Sequence, residues 1–408
     1  MKSKTILILG GGVGGIVTAN ALRKKLSAEH RVIVAERNPE HVFNPSLLWV
    51  MVGLRQPQQI TKKLERMLNH GVELVQAEVQ AIDPDGGRVE TSHSHLDYDY
   101  LVIALGASLA PEDMPGFKEA AYTPYDLEGA TGLWNALQTF EGGRIAVLVS
   151  SMPYKCPAAP YETALLLDDY LRRRGIRERS QVEVYTSETL PMGVAGPAMG
   201  KAVVGMLEAR DIRFYPELKP TGIDPERKEL IFDDNQKVRF NLLAGVPPHK
   251  APRATKESPF SNEAGWIPVN KHTLQTGYEN IYTIGDVATI ALTNGKALPK
   301  AGVFADGQAH TVARRIAEDI KGIGSQAEFD GLGFCWIETG NGSAGFASGE
   351  FYAEPDPIVP LPRSGRLWHW GKILFEKYWL GDGLSRNVSR FGLKLGDKAL
   401  GIPVTIQE

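Results

Sequence analysis

Thr5-Ile-Leu-Ile-Leu9, Gly10-Gly-Gly12-Val-Gly14-Gly15 and the run from Ile16 to Leu26 form the stretch on which the fold turns. Ile6 to Leu9 are continuously apolar and bounded by glycine, the pattern of a parallel strand covered on both faces. The run from Ile16, with small and apolar residues on one side, reads as the helix that follows. Gly10, Gly12 and Gly15 fit the Gly-x-Gly-x-x-Gly fingerprint. Gly10 permits the tight turn, Gly12 lets the backbone approach a pyrophosphate, and Gly15 lets helix and strand pack closely. A second strand, Arg31-Val-Ile-Val-Ala-Glu36, ends in an acid about twenty residues further on, where a ribose hydroxyl would be held. Strand, loop, helix and acid together predict a dinucleotide-binding Rossmann unit.

With 408 residues the chain is too long for one hydrophobic core, and two or three domains are expected. Hydrophobic residues at 43% and charged residues at 23% are ordinary for a soluble enzyme, and a net charge of −3 gives no electrostatic basis for binding nucleic acid. Lys2 and Lys4 precede Ile6-Leu-Ile-Leu9, but glycines end that run too soon for a signal-peptide core. No run reaches the roughly 18 to 20 apolar residues of a membrane-spanning helix, so the protein is expected on the cytoplasmic side. Cys156 and Cys335 are too few for a secreted disulfide scaffold. In a reducing compartment such a pair is either inert or redox-active.

From about residue 114 to residue 238 the pattern repeats: strand Arg144 to Val149, helix Tyr161 to Arg174, strand Gln181 to Tyr185, helix Ala198 to Ala209. This predicts a second Rossmann-like unit. Its phosphate loop departs from the pattern, reading Ser150-Ser-Met-Pro-Tyr-Lys-Cys156-Pro-Ala-Ala-Pro-Tyr-Glu162 with no glycine and three prolines. Proline removes amide donors and fixes the backbone, so the nest of N–H groups that cradles a pyrophosphate is missing. NAD(P)H is therefore not expected here. The fold class is α/β: a discontinuous first Rossmann domain (1–113 and 239–325), a second (114–238), and a carboxy-terminal segment (326–408). Cys156 lies just ahead of a helix start with Lys155 beside it; both features favour thiolate over thiol. An isolated cysteine is more often a small buried hydrophobe.

Two further segments name the first dinucleotide. Tyr98-Asp-Tyr-Leu-Val-Ile-Ala104-Leu-Gly106-Ala and Glu279-Asn-Ile-Tyr-Thr-Ile-Gly285-Asp286-Val-Ala resemble the lobe-closing strand and the distal flavin motif of flavin disulfide reductase-like proteins, which implies FAD. Lys155-Cys-Pro-Ala-Ala-Pro-Tyr-Glu162, Leu298-Pro-Lys300-Ala-Gly302-Val303-Phe-Ala305, the segment Gly331-Leu-Gly-Phe-Cys335-Trp-Ile-Glu338 and the aromatic tail carry a closer likeness. The chain resembles the sulfide:quinone oxidoreductase and flavocytochrome c sulfide dehydrogenase family over nearly its whole length. His41-Val-Phe-Asn44-Pro45-Ser-Leu-Leu-Trp49 is similar to the family's stretch near the flavin. The resemblance implies that Cys156 and Cys335 take up sulfide sulfur as a disulfide or polysulfide bridge and pass two electrons to FAD. It also implies that Glu162 accepts a proton or orients the pair, and that Lys300 sits by the flavin and quinone. On the residues alone, Glu162 reads as a helix cap and Lys300 as a solvated loop lysine. The same resemblance places Gly10, Gly12, Gly14, Gly15, Glu36, Arg37, Asn44, Pro45, Val79, Ala104, Gly106, Gly285, Asp286, Lys300, Gly302 and Val303 around FAD. No metal is implied. A third cysteine of many quinone-linked members is missing between Pro115 and Gly129, so FAD is expected to be non-covalent.

In Arg366-Leu-Trp-His-Trp-Gly-Lys-Ile-Leu-Phe-Glu-Lys-Tyr-Trp-Leu380, Leu367, Trp370, Gly371, Leu374 and Tyr378 share one helix face, which Trp368, Phe375 and Trp379 widen. His369, Lys372 and Glu376 lie opposite. From Arg363 to Lys398 there are eight Lys or Arg against three Asp or Glu, a basic and aromatic mixture that favours an anionic membrane surface. A core or dimer helix is the competing reading, and a homo-oligomer stays open. The function expected is oxidation of sulfide, or of a small persulfide or thiol, with electrons leaving through FAD to a membrane quinone at a peripheral, monotopic site. The alternatives are an NADH:quinone oxidoreductase of the same architecture, or a flavoprotein subunit that only relays electrons.

Overall fold

The computed structural model describes residues 3–360 and 364–400. Lys2, Arg363 and residues 401–408 of the sequence reading lie outside the described residues. The chain enters on β1 (Thr5–Leu9), turns through the glycine loop into α1 (Val13–Lys25) and returns on β2 (Arg31–Glu36). With β3 (Val72–Gln76) and β4 (Tyr100–Ile103) these strands lie side by side in parallel. Alternate residues of β1 enter different cores: Ile6 and Ile8 one, Leu7 and Leu9 another. That is why the strand reads as a continuous apolar run. Each such side chain stabilises by about 1.5–3 kcal/mol on burial.

A second parallel sheet forms from β5 (Gly143–Val149), β6 (Ser180–Tyr185), β7 (Arg213–Tyr215) and β8 (Leu242–Val246), in the order β7-β6-β5-β8. Between β5 and β6 runs α2 (Ala159–Arg173), and α3 (Pro197–Glu208) lies between β6 and β7. The expected division put residues 239–325 on the first side, but Leu242 to Val246 pair with Ile145 to Val149 of the second sheet. The chain returns to the first sheet only at β9 (Ile281–Thr283), which pairs with β4. Helix α4 (Gly302–Ile320) then packs along α1. Every residue of α2 from Ala159 to Leu171 is buried. It is enclosed between the second sheet and a hairpin of β10 (Leu332–Gly340) and β11 (Ser343–Glu350).

The carboxy-terminal helices are α5 (Arg366–Leu380) and α6 (Gly383–Leu400). Part of the aromatic arc of α5 packs on the hairpin, where Trp368 stacks on Phe346 at 5.1 Å. The polar side of the helix does something the sequence did not suggest: Lys372 and Glu376 are buried, whereas Leu367 and Trp370 face outward. Glu376 receives Arg55 at 2.8 Å and the Ser46 hydroxyl at 2.9 Å, so the inward charges are paired.

Gly15 tests the first turn. A Cβ there would lie 1.8 Å from the Gly10 carbonyl oxygen, whereas a Cβ on Gly12 would meet nothing within 4 Å. Gly15→Ala is expected to lose more than the ~1–3 kcal/mol of ordinary overpacking, and Gly12→Ala to leave the denaturation midpoint unchanged. Urea denaturation of both variants checks this; an unshifted midpoint in Gly15→Ala contradicts it.

Candidate active site

The glycine loop, the ends of β4 and β9, the start of α4, β10 and α5 enclose a cavity of about 1020 Å³. Gly10 holds φ at +106° beneath Ala104, whose carbonyl oxygen would lie 2.4 Å from a Cβ. The amino end of α1 has no side-chain cap, and its backbone at Gly12 faces the open cavity. A pyrophosphate fits such a cradle, because the free amides and the helix dipole both favour an anion. Glu36 also lines the wall, its carboxylate held by the Gly11 and Asn38 amides at 2.7 and 2.8 Å.

Of the other residues expected around FAD, Gly14, Asn44, Pro45, Ala104 and Gly106 line the cavity, as do Gly285, Asp286, Lys300, Gly302 and Val303. Gly15, Arg37 and Val79 lie off its wall. Gly15 is a packing position, and Arg37 reaches Glu78 at 3.2 Å. Lys300 is anchored by the Asp286 carbonyl and stands 3.6 Å above the Trp266 ring. Burial lowers its pKa to about 8, with Asp286 opposing. It is thus a half-buried ammonium held by backbone carbonyls, where the alternative reading expected a solvated loop lysine.

Cys156 and Cys335 come from segments 179 residues apart and reach the same cavity wall. Both are free thiols in this structure. Cys156 occupies a left-handed backbone conformation with φ +54°, which costs a non-glycine residue energy and is common at functional sites. Its amide donates to the Lys300 carbonyl at 2.7 Å, and its own carbonyl accepts from the Tyr125 hydroxyl at 3.2 Å.

The expectation that Cys156 favours thiolate is corrected. Burial, and then the Glu162 carboxylate, push its pKa up to about 12, and the same two causes raise Cys335. Lys155 acts instead on Asp286 and His249. Lys372 is the cation that opposes the rise at both sulfurs.

Glu162 is 2% exposed and does not cap its helix. Its Oε1 accepts the Glu338 amide of β10 at 2.9 Å and faces the Lys372 ammonium at 3.2 Å. Burial raises its pKa, with Lys372 opposing. Lys372 lies 3.9 Å from Glu338, whose carboxylate lies 2.9 Å from His369 Nδ1. Sequence reasoning missed Lys372, Glu338 and His369 as site groups. For His369 and Lys372 the signal was the polar stripe 369, 372 and 376 opposite the aromatic arc of α5; Glu338 lies on β10.

In the second lobe a tyrosine of the proline loop and one from the first turn of α2 converge on Glu188. Tyr154 and Tyr161 donate to Glu188 at 2.9 and 2.6 Å. Glu188 follows the end of β6, the position from which dinucleotide folds present their ribose-binding acid.

Residues 4–309 match the model of the pyridine nucleotide-disulphide oxidoreductase family, and the chain belongs to that family. Within it, the mitochondrial sulfide:quinone oxidoreductase of Mus musculus is 26% identical across 95% of this chain and 90% of its own length. The sulfide-quinone reductase of Aquifex aeolicus is 28% identical across 95% of this chain and 93% of its own. The solved structure of the sulfide:quinone oxidoreductase from that bacterium superposes with a TM-score of 0.85 at 26% identity, over 98% of this chain and 96% of the other.

Glu162→Gln removes the charge that opposes both thiolates and leaves Lys372 acting on them. The thiol alkylation profile with iodoacetamide is expected to move to lower pH, and in Lys372→Met to higher pH. An unmoved profile in both variants would contradict the assignment.

Proposed function

We propose that this chain is an FAD-dependent oxidoreductase that takes electrons from sulfide, or from a small persulfide or thiol, through Cys156 and Cys335. A membrane quinone is the electron acceptor, and sulfur leaves as polysulfide. One observation carries this reading: two cysteines distant in sequence share the wall of a cavity whose far end is the glycine-loop cradle. The sulfide:quinone oxidoreductase names of the relatives support it.

When bound, FAD supplies a two-electron acceptor beside the sulfurs. The protein's part begins with the pair bridged through sulfur. Hydrosulfide attacks one sulfur of the bridge, so that one S–S bond forms as another breaks, leaving a persulfide on one cysteine and a thiolate on the other. Glu162 takes the S–H proton, and Lys372 stabilises the resulting negative charge. Closing the bridge again releases two electrons. Lys300, with its pKa near 8, holds positive charge against the cavity at neutral pH.

The competing NADH:quinone reading draws on a type II NADH:quinone oxidoreductase of Staphylococcus aureus, 24% identical over 80% of this chain and 85% of its own length. The engagement of Glu188 by Tyr154 and Tyr161 opposes it. An electron-relay subunit would have no use for two cysteines on the cavity wall.

The quinone side is assigned to α5 and α6. No described helix is long and apolar enough to cross a membrane. Leu384, Val388, Phe391 and Leu395 nevertheless form one stripe on α6, 52–79% exposed, and Trp370 of α5 is 60% exposed. Such a stripe with basic flanks suits monotopic attachment to an anionic bilayer.

Anaerobic titration tests the reaction. Sulfide, and not NADH, is expected to bleach the bound flavin, and Cys156→Ser or Cys335→Ser to abolish bleaching; bleaching by NADH alone would sink the proposal. For the membrane, the double variant Leu384→Glu, Phe391→Glu is expected to stop cosedimenting with phosphatidylglycerol vesicles while sulfide still bleaches its flavin. Undiminished cosedimentation would refute attachment through α6.

A further inference from the structure

Lys372 is buried between two buried carboxylates, Glu162 at 3.2 Å and Glu338 at 3.9 Å. Among Glu162, Glu338 and Lys372, two carboxylates face one ammonium, which leaves one negative charge in the interior without a counter-charge among these three groups. Burying a net charge is costly unless a proton neutralises it, so the cluster has room for one additional proton. The raised pKa of Glu162 agrees with that count.

The groups form a line. Glu162 and Lys372 line the cavity beside Cys156 and Cys335. Glu338 lies behind them, its carboxylate within 2.9 and 3.1 Å of His369 Nδ1. His369 ends the line one turn before Lys372 on the same face of α5, its side chain 18% exposed. The Trp49 ring packs against both side chains, 4.9 Å from the Lys372 ammonium and edge-on to His369 at 5.7 Å. The other charges packed against this line, Glu376 and Arg55, neutralise each other one turn further along the helix. Nothing in a purely structural ion pair requires the line to continue from the sulfurs to solvent.

We infer that Glu162, Lys372, Glu338 and His369 form a proton path between the cysteine pair and solvent, with Lys372 as its moving member and His369 as its outer port. This rests on the sulfide reading. The S–H bond of the incoming hydrosulfide or cysteine persulfide breaks with its electron pair kept on sulfur, and the proton forms an O–H bond at Glu162. Lys372 takes that proton as it gives one of its own to Glu338, which requires its ammonium to swing from one carboxylate to the other. Glu338 passes the proton to His369 Nδ1, which accepts it in the Nε2–H tautomer; the imidazolium so formed releases the Nε2 proton to water, and exchange with water returns the ring to the Nε2–H tautomer. No electron travels this way; the two electrons leave the sulfurs for the flavin. Glu338 and His369 touch neither sulfur nor flavin and serve as positioning and proton-carrying residues.

Stopped-flow bleaching of the flavin-loaded protein by sulfide, under anaerobic conditions, tests the path. His369→Ala is expected to bleach to the wild-type amplitude but about tenfold or more slowly. Its solvent deuterium isotope effect should be larger than that of the wild type, and added imidazole should restore the rate. Glu338→Gln is expected to be slow and unresponsive to imidazole, because the break then lies inside the port. The iodoacetamide profile of the thiols in His369→Ala should match the wild type, which shows the cysteine site intact. Bleaching of His369→Ala at the wild-type rate, or slowing that imidazole and deuterium leave unaffected, would overturn the path alone. A wild-type flavin that sulfide does not bleach would overturn the sulfide reading and the path with it.

Discussion

The contact between the Lys372 ammonium and the Glu162 carboxylate is the constraint on which the other arrangements depend. Each partner is buried, and neither is tolerable there without the other, since an unpaired interior charge costs several kcal/mol. The contact fixes α5 against α2 and the β10 strand, and so determines which side of α5 turns inward. Leu367 and Trp370 are thereby left outward, while Trp368 and Phe375 pack on the hairpin. The same contact sets the electrostatics at the sulfurs, where Glu162 opposes thiolate and Lys372 favours it.

The carboxy-terminal helix also reaches the other end of the cavity. The Trp379 indole N–H donates to His41 Nε2 at 2.9 Å, and His41 Nδ1 lies 3.2 Å from the Gly11 carbonyl. Burial lowers the His41 pKa and keeps the ring neutral, which suits one nitrogen that accepts and one that donates. One helix therefore spans from the glycine loop to the cysteine wall, closing a cleft that two Rossmann-like units would otherwise leave open. The second unit retains its parallel sheet while Tyr154 and Tyr161 bond Glu188, and its proline loop carries Cys156.

Much of the fold was legible because it rests on local rules. The apolar run of β1, the glycines after it and the acid ending β2 need only near neighbours to take their form. The missing glycines between Ser150 and Glu162 were equally readable. Strand β8 was misplaced because five buried residues, four of them aliphatic, look alike whichever parallel sheet they join, and only pairing with β5 decides. The thiolate expected at Cys156 failed for a related reason: a helix end and a neighbouring lysine are visible in sequence, while burial and a carboxylate six residues on, turned toward the sulfurs, are not.

By itself, the amino-acid sequence determined the glycine cradle, the loss of the second phosphate nest and the two sulfurs, because those depend on backbone freedom and on which side chains exist. Only the tertiary structure decided that the sulfurs share one cavity with the cradle. It also decided that an amphipathic helix sits with its charges inward, because the pairing of Lys372 and Glu376 with residues from distant segments reverses what the helix's own pattern favours.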